Sequence, residues 1–181
     1  MNEVTINKDA KLSQHLALPS EAALSHSSEL DGLHLSPHFT LGELTKTNVK
    51  GISNVPPHAA VLNLRNLCVN WLEILRKSYI IFYGEGKDIP LIINSGYRSE
   101  AVNKAIGGVK GSNHLTGCAV DIHVTGMEQA IHYASILLDI SAKYKQEFDE
   151  LLIERSRKGT YWLHFAVRPK DNRHKIRFLQ T

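Results

Sequence analysis

One strand-like segment, CAVDIHV, places a carboxylate inside an otherwise apolar alternation. Alternate side chains of a β-strand point to opposite faces, so Asp121 shares a face with Ala119 and His123. An ionised carboxylate beside a protein core is costly unless a cation or hydrogen-bond donors compensate it. The fold of this chain must therefore bring a compensating group to Asp121, and a metal ion is one such group.

Two histidines have positions that would let them share a metal with this aspartate. The pattern S-x-H-x-x-G-x-A-x-D runs from Ser112 to Asp121 and places His114 at the end of a glycine-rich loop. His164 lies in YWLHFAV, which also reads as a strand. Two His and one Asp would leave a fourth position open for water, as in catalytic zinc sites. Spacing alone leaves another interpretation open, because the chain has ten histidines and a strand histidine is more often a hydrogen-bonded core or surface residue.

The rest of the sequence predicts an α+β fold, in which helices flank a small, mainly antiparallel sheet. The predicted strands are LIINS, CAVDIHV, DELLIE and YWLHFAV, with KIRFL as a further edge strand. Apolar residues at helical spacing predict one helix through Val61–Leu75 and another that begins at Thr125 or Gly126. The expected apolar stripe of the second helix is Ala130, Ile131, Ala134, Leu137, Leu138 and Ala142.

Composition predicts one folded domain, residues 36–181, after a polar and poorly ordered N-terminal arm, residues 1–35. The net charge of +3 and the absence of a Lys/Arg run argue against nucleic acid as a partner. Neither a signal peptide nor an apolar run that could span a membrane is visible, so we expect synthesis in the cytoplasm and action on the cell wall after release. Cys68 and Cys118 are expected to be buried free thiols.

Three elements together resemble a known family: SGYRS, then S-x-H-x-x-G-x-A-x-D, then W-x-H on a late strand. From about Leu35 to Val167, the chain resembles the zinc D-Ala-D-Ala carboxypeptidases and L-Ala-D-Glu endopeptidases of peptidoglycan, whose sheet site is similar to that of the hedgehog signalling domain. The resemblance implies a hedgehog/DD-peptidase-like fold and a zinc ion (Zn2+) bound by His114, Asp121 and His164. It also implies that Arg98 polarises the scissile carbonyl or holds the substrate carboxylate, and that Ser112 helps to orient the substrate.

The sequence departs from this family at the general base. Many members carry an acidic residue three positions before the last zinc histidine, and here that position is Tyr161. A tyrosine of pKa about 10 cannot take a proton from water at pH 7, although it could orient the water. The best substitute is Glu154, because a hairpin would return the chain from it to His164. Asp149 and Glu150 are weaker candidates.

Two further residues share strand faces with the predicted ligands. Trp162 lies on the face of His164 and would either wall the site or be an ordinary core tryptophan. His123 lies on the face of Asp121 and would line the pocket, assist proton transfer or face solvent, the last being favoured. The predicted catalytic residues are Glu154 and Arg98, and the predicted substrate-binding residues are Ser112, Arg98, Trp162 and Tyr161.

The leading hypothesis is a zinc metallopeptidase, endolysin-like, that hydrolyses peptide bonds in peptidoglycan stem peptides. The sequence does not choose between carboxypeptidase and endopeptidase action. A catalytically silent zinc module that binds wall peptides or another protein is the alternative that Tyr161 favours. A structural protein of a phage or mobile element without a metal is the third.

Overall fold

The computed structural model describes residues 32–181. Residues 1–31 of the predicted N-terminal arm lie outside this part of the chain. Residues 32–35, which the sequence also assigns to the arm, are described, and Leu35 is fully buried in the first strand. The folded part therefore includes the last residues of the predicted arm.

Seven strands of the described part of the chain form two sheets. They are β1 His34–Ser36, β2 Phe39–Thr40, β3 Ile93–Ser95, β4 Ala119–His123, β5 Glu150–Arg155, β6 Tyr161–Ala166 and β7 Lys175–Gln180. β1 and β2 form a small hairpin, and the other five form one sheet in the order β3-β4-β6-β5-β7. All neighbours pair antiparallel except β5 and β7, which are parallel. The predicted α+β class with a mainly antiparallel sheet is confirmed, and KIRFL is an edge strand as expected.

Within residues 32–181, five α-helices accompany the sheet: α1 Leu41–Thr45, α2 His58–Leu67, α3 Glu73–Tyr83, α4 Glu100–Ala105 and α5 Met127–Tyr144. α2 follows Pro57 and continues through a π-helical turn, Cys68–Leu72, into α3, which confirms the helix expected from the periodicity. A short 3-10 helix, Asn113–Thr116, precedes β4. No helix within residues 32–181 is long and apolar enough to cross a membrane.

The core lies between these helices and one face of the large sheet. Trp71, in the π-helical turn, packs against Phe165 of β6 with ring centroids 4.9 Å apart, and Val120 and Ile122 of β4 are fully buried in the same cluster. Cys68 and Cys118 are buried free thiols, as predicted. Burial of these apolar side chains fixes which face of β4 and β6 points inward.

The opposite face of the sheet carries the polar residues in three rows, because directly paired strand residues point to the same side. The rows, written from β4 across β6 to β5, are Ala119–Ala166–Glu150, Asp121–His164–Leu152 and His123–Trp162–Glu154. The sheet therefore presents Asp121 and His164 side by side, with a glutamate on either side of that row.

The predicted stripe of α5 is partly wrong. Ala130 and Leu137 are buried as expected, but Ile131 and Leu138 are 52% and 38% exposed. Tyr133 and Ile140 are buried instead. The buried residues thus follow a stripe that is rotated around the helix from the predicted one, and Tyr133 can join it because its hydroxyl accepts a hydrogen bond from Gln129 at 3.1 Å.

Candidate metal centre

The three predicted metal ligands meet at one buried point on the polar face of the sheet. Asp121 lies in β4, His164 is its direct partner in β6, and His114 comes from the 3-10 helix that precedes β4. Their side chains offer one ligand atom each within 4.8 Å of one another. All three residues are buried, with 8% or less of their surface exposed. The structure therefore brings together residues that are far apart in the sequence.

The spacing of the ligand atoms fits a tetrahedral metal. Asp121 Oδ1 lies 2.9 Å from His164 Nδ1 and 3.3 Å from His114 Nε2. Ligands about 2.0 Å from a tetrahedral zinc ion are separated by about 3.3 Å. Two imidazoles and one carboxylate are also a donor set that zinc prefers, and they leave a fourth position open. These residues therefore fit the metal that the sequence predicts.

The turn that carries His114 is held by its neighbours on both sides. The Ser112 hydroxyl accepts a hydrogen bond from the His114 amide at 3.3 Å, so Ser112 is the N-cap of the 3-10 helix. His114 Nδ1 lies 2.6 Å from the Gly96 carbonyl oxygen. A donor at Nδ1 leaves the Nε2 lone pair free for a metal. Gly117 ends the turn at a φ of 69°, and a Cβ there would lie 2.4 Å from the Ala60 carbonyl oxygen. The glycine of the S-x-H-x-x-G pattern is required for this close approach.

Arg98 contacts the other oxygen of the aspartate. Its guanidinium forms an ion pair with Asp121 Oδ2, and its Nε donates to Ser95 Oγ at 2.8 Å. The Arg98 amide also donates to the His114 carbonyl at 3.1 Å. Asp121 therefore turns Oδ1 toward the two histidines and Oδ2 toward Arg98, which suits a carboxylate that binds a metal through one oxygen. The structure places Arg98 in the cluster, as predicted.

Asp121 and His164 strongly affect each other's protonation. Burial alone would raise the pKa of Asp121, but His114 and His164 lower it below its ordinary value. Burial alone would lower the pKa of His164, but its hydrogen bond with Asp121 and the nearby Glu150 carboxylate raise it to about 9. Asp121 thus stays ionised, and protonated His164 compensates its negative charge, as a bound metal cation would.

The two glutamates beside His164 have opposite electrostatic environments. Glu150 contacts His164, with Oε2 lying 3.5 Å from Nε2, and accepts a hydrogen bond from Lys175 Nζ at 2.8 Å. These contacts, with that to His164 the strongest, lower the pKa of Glu150 to about 2. Burial raises the pKa of Glu154, although it accepts a hydrogen bond from the Trp162 side chain. Paired carboxylates whose pKa values are pushed apart mark different chemical roles, and Glu154 is the one suited to a general base.

Asp149, the third acidic candidate, is not suited to proton transfer. Its side chain is fully buried and accepts hydrogen bonds from Arg173 Nε at 2.8 Å and from Asn113 Nδ2 at 2.7 Å. Burial would raise the pKa of this carboxyl, but Arg173 and Asn113 lower it. Asp149 therefore links the turn before β4 to the C-terminal segment.

The remaining predicted residues divide between the two faces of the sheet. Trp162 and His123 lie in the row of Glu154, and His123 is exposed, as favoured from the sequence. Tyr161 is not brought to the cluster, because it lies on the opposite face, where it packs against the core and under Arg155. The alternation of β6 requires this, since Tyr161 is an odd number of residues from His164.

The sequence did not indicate the groups that orient the ligands. The Gly96 carbonyl belongs to SGYRS, but a backbone acceptor has no residue-type signal. Asn113 stands beside His114 in the motif, yet its partners Asp149 and Glu150 are more than 30 residues away. Ser95 was also missed, although its position three residues before Arg98, at the end of a predicted strand, could have indicated contact with the site.

The family model described as Peptidase M15 matches residues 37–157, about two thirds of the 181-residue chain. The match includes Arg98, His114, Asp121 and Glu154, and it ends before β6, the strand that carries His164. A search of curated proteins gave no significant match. The family match confirms the resemblance noted from the sequence, and with it the hedgehog/DD-peptidase fold. The chain therefore belongs to the peptidase M15 family.

Proposed function

We propose that this protein is a zinc-dependent peptidase that hydrolyses peptide bonds in the stem peptides of peptidoglycan, on the cell wall, after release from the cell that makes it. The observation that carries the proposal is the buried cluster of His114, Asp121 and His164, with Glu154 and Arg98 beside it. Peptide hydrolysis needs an activated water, a proton carrier and a group that stabilises negative charge on oxygen. The cluster supplies a residue for each of these tasks.

When bound, zinc supplies Lewis-acid activation of water and of the scissile carbonyl. Glu154 is the proton carrier, because its pKa is raised toward neutral pH from that of an ordinary glutamate. It takes the proton from the attacking water and passes it to the leaving amine. Trp162 holds the Glu154 carboxylate from the neighbouring strand.

Arg98 steadies the negative charge that develops on the carbonyl oxygen. Its guanidinium has five N–H donors, and its contacts with Ser95 and Asp121 use Nε and one terminal nitrogen. Within residues 32–181 the other terminal nitrogen makes no contact of this kind, so its donors remain for a substrate oxygen. A fixed, permanently charged fork at this position suits a tetrahedral oxyanion or a substrate carboxylate.

The test is hydrolysis of purified stem peptides, both linear and cross-linked, with products identified by mass spectrometry. We expect cleavage by the zinc-loaded wild type and by the control Glu147→Gln, whose carboxylate is exposed and contacts His174 instead of a residue of the cluster. Glu154→Gln should lower turnover by about 10²–10⁴-fold with zinc content unchanged. The cleaved bond decides between carboxypeptidase and endopeptidase action.

One observation favours a second candidate, a zinc module that binds wall peptides without cleaving them. Tyr161 occupies the position at which the family's acidic residue is expected, and it faces the core. Binding of stem peptides by zinc-loaded wild type and Glu154→Gln, with no product from either, would select this candidate instead.

A further inference from the structure

The His164 ring uses its two nitrogens for different neighbours. Nδ1 points at Asp121 Oδ1, 2.9 Å away, and is therefore the atom available to a metal shared with that carboxylate. Nε2 is buried, makes no hydrogen bond within ordinary limits among residues 32–181, and faces Glu150 Oε2 at 3.5 Å. An imidazole that binds a metal through Nδ1 carries its proton on Nε2, and that proton needs an acceptor.

Glu150 is held where such an acceptor is required. It lies diagonally across the strand pair from His164, since it is the direct partner of Ala166. Asn113 Nδ2 donates to its Oε2 at 3.1 Å, and Lys175 Nζ donates to its Oε1 at 2.8 Å. The two oxygens thus have separate tasks, because Oε1 faces the cation and Oε2 faces His164 and the turn of His114.

We propose that Glu150 is the positioning residue of the metal centre, with Oε2 accepting the Nε2–H of His164 so that Nδ1 is presented to the ion. Each histidine ligand is then oriented through the ring nitrogen that does not bind the metal. The Gly96 carbonyl orients His114 at 2.6 Å, and the Glu150 carboxylate orients His164. This inference rests on the proposed zinc-dependent function. It gives Glu150 a task distinct from proton transfer, which belongs to Glu154.

The C-terminal strand contributes to this arrangement without reaching the ligands. Lys175, the first residue of β7, and Arg173 just before it both contact Glu150, Arg173 at 3.2 Å. Both residues lie beyond the matched family segment, which ends at residue 157. A half-buried carboxylate without these cations would be poorly compensated. β7 therefore supports the metal centre by fixing the charge and direction of Glu150.

The test is zinc affinity, measured by competition with a chromogenic chelator, for wild type, Glu150→Ala, Glu150→Gln and the control Glu147→Gln. Loss of a carboxylate behind a histidine ligand typically weakens metal binding about 10–100-fold. We expect Glu150→Ala near the upper end and Glu150→Gln near tenfold, because an amide oxygen still accepts a hydrogen bond. Glu147→Gln should match the wild type.

Two further readouts separate positioning from folding. Metal-free melting temperatures report whether a variant has lost its fold, and if Glu150→Ala does not fold, the isosteric Glu150→Gln decides. The visible spectrum of the Co²⁺-substituted protein should change in the Glu150 variants, since it reports ligand geometry. The inference would be overturned if a folded Glu150→Gln or Glu150→Ala variant had a zinc affinity within twofold of the control and an unchanged Co²⁺ spectrum. Failure of wild type to bind zinc would instead overturn the proposed function.

Discussion

His164 should remain protonated far above the ordinary range of histidine in the metal-free protein. Burial alone would lower its pKa, but its hydrogen bond with Asp121 and the nearby Glu150 carboxylate raise it from about 6.5 to about 9. A shift of this size corresponds to roughly 3 kcal/mol in favour of the folded state. Because the folded pKa lies above the unfolded value, this contribution is complete below about pH 6.5 and is lost as the pH rises toward 9.

The assay is an NMR pH titration of metal-free protein with labelled histidine side chains, in which a His164→Gln variant assigns the resonance. We expect a midpoint near pH 9, and a lower midpoint in Asp121→Asn, which removes the carboxylate 2.9 Å from Nδ1. Chemical unfolding of wild type at pH 6 and pH 9.5 should show the loss of stability, and Asp121→Asn should show a smaller loss. A wild-type midpoint at or below 6.5 would refute the electrostatic reasoning.

Three other predictions follow from the site. Purified wild type and the surface control Asp139→Ala should hold near-stoichiometric zinc by elemental analysis, and Asp121→Ala should hold none; retention of zinc by Asp121→Ala would contradict the ligand assignment. Gly117→Ala should lower the free energy of unfolding in urea more than Gly107→Ala does. Both glycines have a positive φ, but only a Cβ at Gly117 would lie 2.4 Å from a backbone carbonyl oxygen. Equal losses of stability would show that the backbone shifts to relieve this contact at little cost in free energy. Arg98→Lys should keep its zinc but lower kcat/KM by 10²-fold or more, because a lysine cannot reproduce the guanidinium fork, and an unchanged value would remove Arg98 from the reaction.

Much of the metal site could be predicted because its signal is local. Strand alternation placed Asp121 on the polar face, and the glycine turn placed His114 at the strand end, as the structure confirms. His164 could be predicted as a metal ligand only through the resemblance to a family, since a single histidine in a strand does not by itself indicate a metal site. The stripe of α5 could not be settled in this way, because Ile131 and Leu138 are as apolar as the buried residues although they lie on a different side of the helix.

The sequence by itself determined the polar and apolar faces of β4 and β6, and thereby the place where a metal can bind. It did not determine the difference between Glu150 and Glu154, which stand symmetrically two residues on either side of the partner of His164. That difference comes from the tertiary structure. β7 pairs with β5 and brings Lys175 to Glu150, whereas burial raises the pKa of Glu154 against the opposing effect of His164 and Arg98. Two identical side chains on one strand therefore have pKa values shifted in opposite directions, because the electrostatic environment of a carboxylate depends on residues distant in the sequence.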